Sequence, residues 1–372
     1  MNLVAASPLV DTASAVRDIR NTIDDQALVV FFASSCHDPH IAARLMKEAF
    51  PRSTVVGCTT AGEIWCDPLA GVGKMASNHL VAMSFSEEIV GPFHAEVVGQ
   101  LSQSIDIAPA LAGFEQAFGI PVAAMDPDEY LGMILIDGLI CSEEALMEKL
   151  GDTSDILFVG GSAGDDFKLQ GTYVFLDGQA YNDAALLLVM KPKRKFQAIK
   201  TQSFTILPHR LQVTGACQRS VSHFNGQPAG KAYADALGIP LEKAPEQFVD
   251  HPVGLMIDGE PYVRSPQKIN DQGGLDFYSS LLEGMELRIL ESLDPIADTE
   301  SAIAAAQQAM GGLSSVILFN CANRTVDMER RRITGEFEAM LGRLGAPVIG
   351  FSSYGEMYIG HINQTATMIA FG

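Results

Sequence analysis

The sequence predicts an α/β fold (α+β mixed), with pseudo-repeated strand-helix-strand units forming mixed β-sheets covered by helices, in two related halves. Three observations predict it. Apolar runs of strand length alternate with segments whose apolar residues recur at helical spacing. The strand-helix-strand unit returns three times in the same order. Each copy closes on a turn of glycine and small residues that ends in an acid: Glu63, Asp165 and Glu356.

The first unit runs from the strand-like Leu28-Val29-Val30-Phe31-Phe32 through a helix with Ile41, Leu45 and Ala49 at fourfold spacing. It ends in Thr54-Val55-Val56-Gly57-Cys58-Thr59-Thr60-Ala61-Gly62-Glu63. The second starts at Met133-Ile134-Leu135-Ile136-Asp137-Gly138 and passes through a helix capped by Ser142, with Glu143 and Glu144 in its first turn. Its closing turn is Val159-Gly160-Gly161-Ser162-Ala163-Gly164-Asp165. The third runs from Val316-Ile317-Leu318-Phe319-Asn320 through a helix with Phe337, Met340, Leu341 and Leu344 on one face. It closes on Val348-Ile349-Gly350-Phe351-Ser352-Ser353-Tyr354-Gly355-Glu356. A further apolar strand, entered near Asn78, Asn182 or Asn363, follows each turn.

At 372 residues the chain exceeds one ordinary core, and its boundary falls near residues 220 to 230, dividing it into 1–222 and 223–372. There Phe224-Asn225-Gly226-Gln227-Pro228 forms a turn before a helix carrying Tyr233 and Leu237. Leu255 to Arg264 reads as a hairpin turning at Asp258-Gly259.

Composition narrows the function. With 25 Lys plus Arg against 45 Asp plus Glu, the net charge of −20 repels a phosphate backbone or an anionic membrane. Lys191-Pro192-Lys193-Arg194-Lys195 reads as a solvated turn, and Arg330-Arg331-Arg332 as exposed charge ahead of a helix. The six cysteines, at 36, 58, 66, 141, 217 and 321, form no CxxC pair and lie mostly in apolar runs, which predicts reduced, buried thiols. No leader pattern or membrane-length apolar run is present, so the expected location is the cytoplasm.

Gly160-Gly161-Ser162-Ala163-Gly164 satisfies GxSxG, but a turn and a strand follow it where a nucleophile elbow needs a helix. Thr59-Thr60 and Ser352-Ser353 occupy the same place in the other units, so Ser162 reads as one version of a hydroxylic turn. Such turns allow close backbone approach, and their hydroxyls and N–H groups can line a cleft for a small polar ligand. Cys36-His37-Asp38-Pro39-His40 has a metal-ligating composition without a known zinc spacing; Asp38 reads as a helix cap and His40 as an exposed first-turn residue. His361, close in sequence to Glu356, is the candidate axial haem ligand, since a haem pocket needs one protein ligand and an apolar slot.

Three segments together resemble the FIST sensory family: Val55 to Ile64, the hairpin through Ile257-Asp258-Gly259-Glu260 to Val263-Arg264-Ser265-Pro266, and Gly350 to Glu356. Ile136-Asp137-Gly138, Ser142-Glu143-Glu144, Gly160 to Asp165 and Gly226-Gln227-Pro228-Ala229 with Tyr233 support the resemblance, which covers nearly the whole chain. It implies an N-terminal and a C-terminal FIST domain in a signal-input protein of the free-standing type. Some members of that type resemble haem-binding nitric-oxide sensors acting on a partner histidine kinase.

The expected function is a cytoplasmic ligand-binding sensor, not an enzyme, with Thr59, Thr60, Glu63, Ser162, Asp165, Arg264, Ser352, Tyr354 and Glu356 around its ligand. One rival is an amino-acid-like metabolite receptor without haem. The other is a hydrolase using Ser162 or Cys36 with His37, His40 or His361 as base.

Overall fold

The computed structural model describes residues 3–372 and is mixed α/β. Three six-stranded sheets share one plan. The first orders its strands Leu3–Ser7, Leu80–Phe85, Leu28–Ser34, Thr54–Thr60, Val174–Leu176 and Gln179–Tyr181. The second runs Phe93–Gly99, Ala184–Met190, Leu131–Ile136, Phe158–Ser162, Glu356–Met357 and His361–Ile362. The third runs Phe196–Thr201, Ala366–Phe371, Ser315–Cys321, Val348–Ser353, Glu63–Asp67 and Val72–Ala76. In each, the middle two strands are parallel and every other pairing is antiparallel.

The last two strands of every sheet come from a different repeat. Past its glycine bend the chain leaves its own sheet: the first repeat crosses to the third, the second to the first, and the third to the second. The three repeats are thus tied in a ring. Strands from before and after residue 222 pair within the second and third sheets.

The middle strands are buried on both faces, which explains their continuous apolar sequence. Inner faces meet in one central core, where Phe351 packs on Phe32 and Phe319 with ring centroids 4.6 and 5.8 Å apart. Helices close the outer faces over separate apolar clusters. Asp38 caps the helix Pro39–Ala49 by accepting from the Ile41 N–H at 2.9 Å, and His40 is exposed, as the sequence implies. The helix Thr334–Arg343 buries Phe337, Met340 and Leu341.

Before it lies a helix that apolar spacing does not reveal, Ala322–Arg331, because its buried face includes Arg324 and Asp327. Arg330 and Arg331 are bound to Asp250 and Asp327, so two members of the basic triplet are neutralised within the chain. Lys191 and Lys193 pair with Glu129 and Glu87.

Between Thr201 and the helix Pro295–Met310, the third repeat carries an inserted sheet built on the long strand Phe204–Cys217. The hairpin Val253–Ile257 with Glu260–Arg264 turns at Asp258 and Gly259, both at positive φ. Tyr233 of the helix Ala229–Leu237 is buried against Phe248 and donates to the His251 carbonyl at 2.7 Å. Among the described residues no helix is long and apolar enough to cross a membrane.

Candidate functional site

The three glycine bends meet. Ala61 N–H donates to Ser352 O (3.0 Å) and Ser352 N–H to Gly62 O (2.7 Å). Ser162 N–H donates to Gly355 O (2.7 Å), Tyr354 N–H to Ser162 O (3.1 Å), and Gly164 N–H to Thr59 O (3.0 Å). Glycine is required by contact at Gly164, where an added Cβ would come 2.7 Å from the Ala61 nitrogen.

Most hydroxyls and acids of the bends are consumed in holding this junction. Glu63 accepts from the Thr60 hydroxyl and, at 3.0 Å, from His79 N–H; Glu356 accepts from Ser353 Oγ at 2.7 Å and Thr365 Oγ1 at 3.0 Å. Burial pushes both carboxyls up to about 8 despite these hydrogen bonds. In the second repeat Ser162 Oγ turns instead to Glu143 Oε1 at 3.0 Å, and Asp165 accepts from Tyr354 Oη at 2.6 Å. Burial raises Asp165, but that bond and the N–H groups of Gln170, Gly171 and Leu169 outweigh it and hold the carboxyl below its ordinary value. Thr59 accepts from the Tyr173 N–H at 3.0 Å.

Two cavities open beside the junction. One of about 480 Å³ is walled by Tyr354, Phe167, Leu169, Phe277 and Tyr278, with Glu143, Arg219 and Asp276 as its charged groups. The other, about 400 Å³, includes Glu63 and Ser352, and its remaining acids are Asp166 and Glu329. Of the residues expected around one ligand, Tyr354 therefore faces the first cavity, while Glu63 and Ser352 face the second. Thr59, Thr60, Ser162, Asp165, Arg264 and Glu356 line neither.

Behind the first cavity runs a charged chain that sequence reasoning missed. Arg219, on the tight turn between Phe204–Cys217 and Ser220–Phe224, donates to Glu143 at 2.7 Å and Glu144 at 2.9 Å. Glu144 Oε1 also accepts from the Ser280 N–H at 2.7 Å and lies 3.0 Å from His361 Nδ1. Burial raises the Glu144 carboxyl, but His361 and Arg219 overcome it and hold the group well below the usual carboxylate range. Glu143 is only 2% exposed although it begins a helix, where sequence position suggests solvent. Arg264, partly buried, lies within the electrostatic reach of Glu144, with its Nε lacking an acceptor. Cys141 and Cys217 line the cavity and are exposed, unlike the buried thiols the sequence suggests.

These contacts decide several chemical readings. Glu143, Glu144 and His361 offer ligand atoms within 4.8 Å of one another, but the Arg219 guanidinium already supplies the cation there. His361 does not fit the role of axial haem ligand: its Nε2 is buried, without a partner, against Gly355, where an added Cβ would come within 2.0 Å of it. The imidazole lines neither of these two cavities. Ser162 is fully buried and its hydroxyl meets a carboxylate, so no histidine stands ready as its base. Burial pushes the Cys36 thiol up, and His37 Nδ1 is 3.1 Å from Thr12 Oγ1.

The FIST N domain matches residues 27–227 and the FIST C domain residues 229–359. An uncharacterised protein of Methanocaldococcus jannaschii is 22% identical over 309 residues, covering 77% of this chain; the chain spans 58% of that protein's length. FIST domains are sensory domains associated with signal transduction. The bends, the inserted sheet and the cavity between them thus lie within the matched regions, and the chain belongs to the FIST family.

Proposed function

We propose that the protein is a signal-transduction receptor that holds an amino-acid-like metabolite in the 480 Å³ cavity. The observation that carries this reading is the opposition of charge at its wall. Arg219 and the acids Glu143 and Asp276 face a space otherwise framed by Phe167, Leu169, Phe277, Tyr278 and Tyr354. The Arg219 side chain keeps 18% of its surface exposed and can meet a ligand carboxylate there, while Asp276, the more exposed of the two acids, can receive an ammonium group. Aromatic and aliphatic walls suit an apolar side chain, and the volume is that of a small-molecule site.

The cavity lies between the second repeat, the inserted sheet and the start of the helix Ala322–Arg331. A ligand that binds better in one arrangement of these parts shifts the population toward it, and that shift is the signal. Output to a partner histidine kinase and a cytoplasmic location belong to the same proposal; the acidic chain suits a basic partner face. Haem and nitric-oxide sensing gain no support from His361 and are left to the test.

Thermal-shift and calorimetric titration with a panel of free amino acids, their decarboxylated amines and their deaminated acids tests the reading. Stabilisation by the amino acids, lost with either half-molecule and weakened in Arg219→Lys, is expected. No stabilisation by any of them at millimolar concentration, with a haem absorbance band that His361→Ala abolishes, would overturn it in favour of haem.

A further inference from the structure

The second repeat breaks the threefold plan at one place. After the bends of the first and third repeats the crossing strands begin at once, at Glu63 and Glu356, with only residues 61–62 and 354–355 between strands. In the second repeat the strand ends at Ser162 and the crossing strand begins at Val174, leaving residues 163–173 as an added loop.

That loop is held in a costly shape. Asp166, Phe167 and Leu169 have φ of 54°, 61° and 54°, in the left-handed region that bulky side chains avoid. Specific contacts anchor it, among them Asp166 N–H donating to Thr60 O at 3.0 Å and Lys168 Nζ donating to Ser35 Oγ at 2.8 Å. The Asp165 carboxylate accepts from the N–H groups of Leu169 (2.9 Å), Gln170 (2.6 Å) and Gly171 (3.1 Å). Tyr354 Oη donates to that carboxylate and accepts from the Phe167 N–H at 2.8 Å. Asp166 accepts from Ser34 Oγ and Ser35 N–H, each at 2.8 Å.

The conformation presents two large apolar side chains that are not buried: Phe167 is 51% exposed and Leu169 64%. Both line the proposed ligand cavity, and Phe167 also borders the second one. Apolar groups poised over a cavity gain most by closing on an apolar ligand.

We infer that residues 166–171 are a lid, latched by the Asp165–Tyr354 pair, whose Phe167 and Leu169 close over the apolar body of the bound ligand. The inference rests on the receptor reading for its ligand, but the latch can be examined without one. Ligand contact replaces water on Phe167 and Leu169 and favours the closed loop, while loss of the Tyr354 hydroxyl frees it.

Hydrogen exchange followed by mass spectrometry on the full chain tests this. Tyr354→Phe should speed exchange of the peptide covering 165–173 by about tenfold, roughly the worth of one or two hydrogen bonds, with the core strands unchanged. Exchange unaltered there, or accelerated equally across the core, overturns the lid. Anilinonaphthalene sulfonate, an aromatic anion, serves as cavity probe: the dye should slow loop exchange in the wild-type protein, and Phe167→Ala with Leu169→Ala should weaken its binding. Dye bound with loop exchange unchanged also overturns the lid. Failure of the dye to bind counts against the cavity as a ligand site, while the Tyr354→Phe result still decides the latch.

Discussion

Arg219 and Glu143 meet at 2.7 Å across the boundary between the inserted sheet and the repeated core. Glu143 is buried and also receives Ser162 Oγ, so one guanidinium ties the sheet to the second glycine bend through two side chains. Removing that cation leaves Glu143 without its positive partner and Glu144 with only the neighbouring His361.

Arg219→Ala should therefore destabilise the protein by about 3 kcal/mol, the usual cost of breaking a buried pair from one side. Arg219→Ala with Glu143→Gln should cost less than the sum of the single changes. Chemical denaturation of the four proteins of this cycle measures the coupling, and simple additivity would show that the pair is not a link.

Stability should fall as pH rises from about 4.5 to about 8, through Glu63 and Glu356. Both are raised on folding, from a model-peptide value of 4.5 to about 8, so in this window the folded state binds more protons than the unfolded one. The slope is then negative, at most about 1.4 kcal/mol per pH unit for each group, and levels off above pH 8. Glu144 acts in the opposite sense: its carboxyl is depressed, so its contribution is present above the ordinary carboxylate range and is lost in acid. Denaturant midpoints of wild type and Glu356→Gln at about pH 5 and about pH 9, close to the two ends of this window, check the first effect. The variant should keep more of its stability at the higher pH.

The GxSxG sequence around Ser162 should be chemically silent. The hydroxyl is enclosed and donates to Glu143, so a fluorophosphonate probe has neither access nor an activated nucleophile. Intact mass after prolonged exposure should show no adduct on Ser162. A stoichiometric adduct lost in Ser162→Ala would revive the hydrolase reading.

The bends were legible because glycine, small residues and a terminal acid recur in order, and the middle strands because burial on both faces writes a continuous apolar run. The exchange of strands among repeats was not, since the short run Glu63–Asp67 reads as the same strand whichever sheet receives it. The charged wall was hidden for a related reason. Glu143 and Glu144 look like ordinary first-turn acids, and Arg219 like a solvated turn residue, until the inserted sheet folds over them. His361 shows the converse: its sequence position beside Glu356 suggested the cavity, yet the short strand His361–Ile362 pairs with Glu356–Met357 and turns the imidazole against Gly355.

The exchange of strands makes a prediction about the chain as a whole. In residues 1–222 alone, Glu63–Asp67, Val72–Ala76 and Phe196–Thr201 would lose the third sheet's central strands, Ser315–Cys321 and Val348–Ser353. The second sheet would lose its edge at Glu356–Met357 and the central core would lose Phe319 and Phe351. Unpaired strand edges and an opened core invite association, so this fragment should aggregate or melt without a cooperative transition. Co-expression with residues 223–372 should restore a soluble complex with a single transition, because the missing strands return to the same register. Calorimetry of the fragment and of the complex gives the answer, and a sharp, reversible transition for residues 1–222 alone would mean that the ring of exchanged strands is not what holds the repeats together.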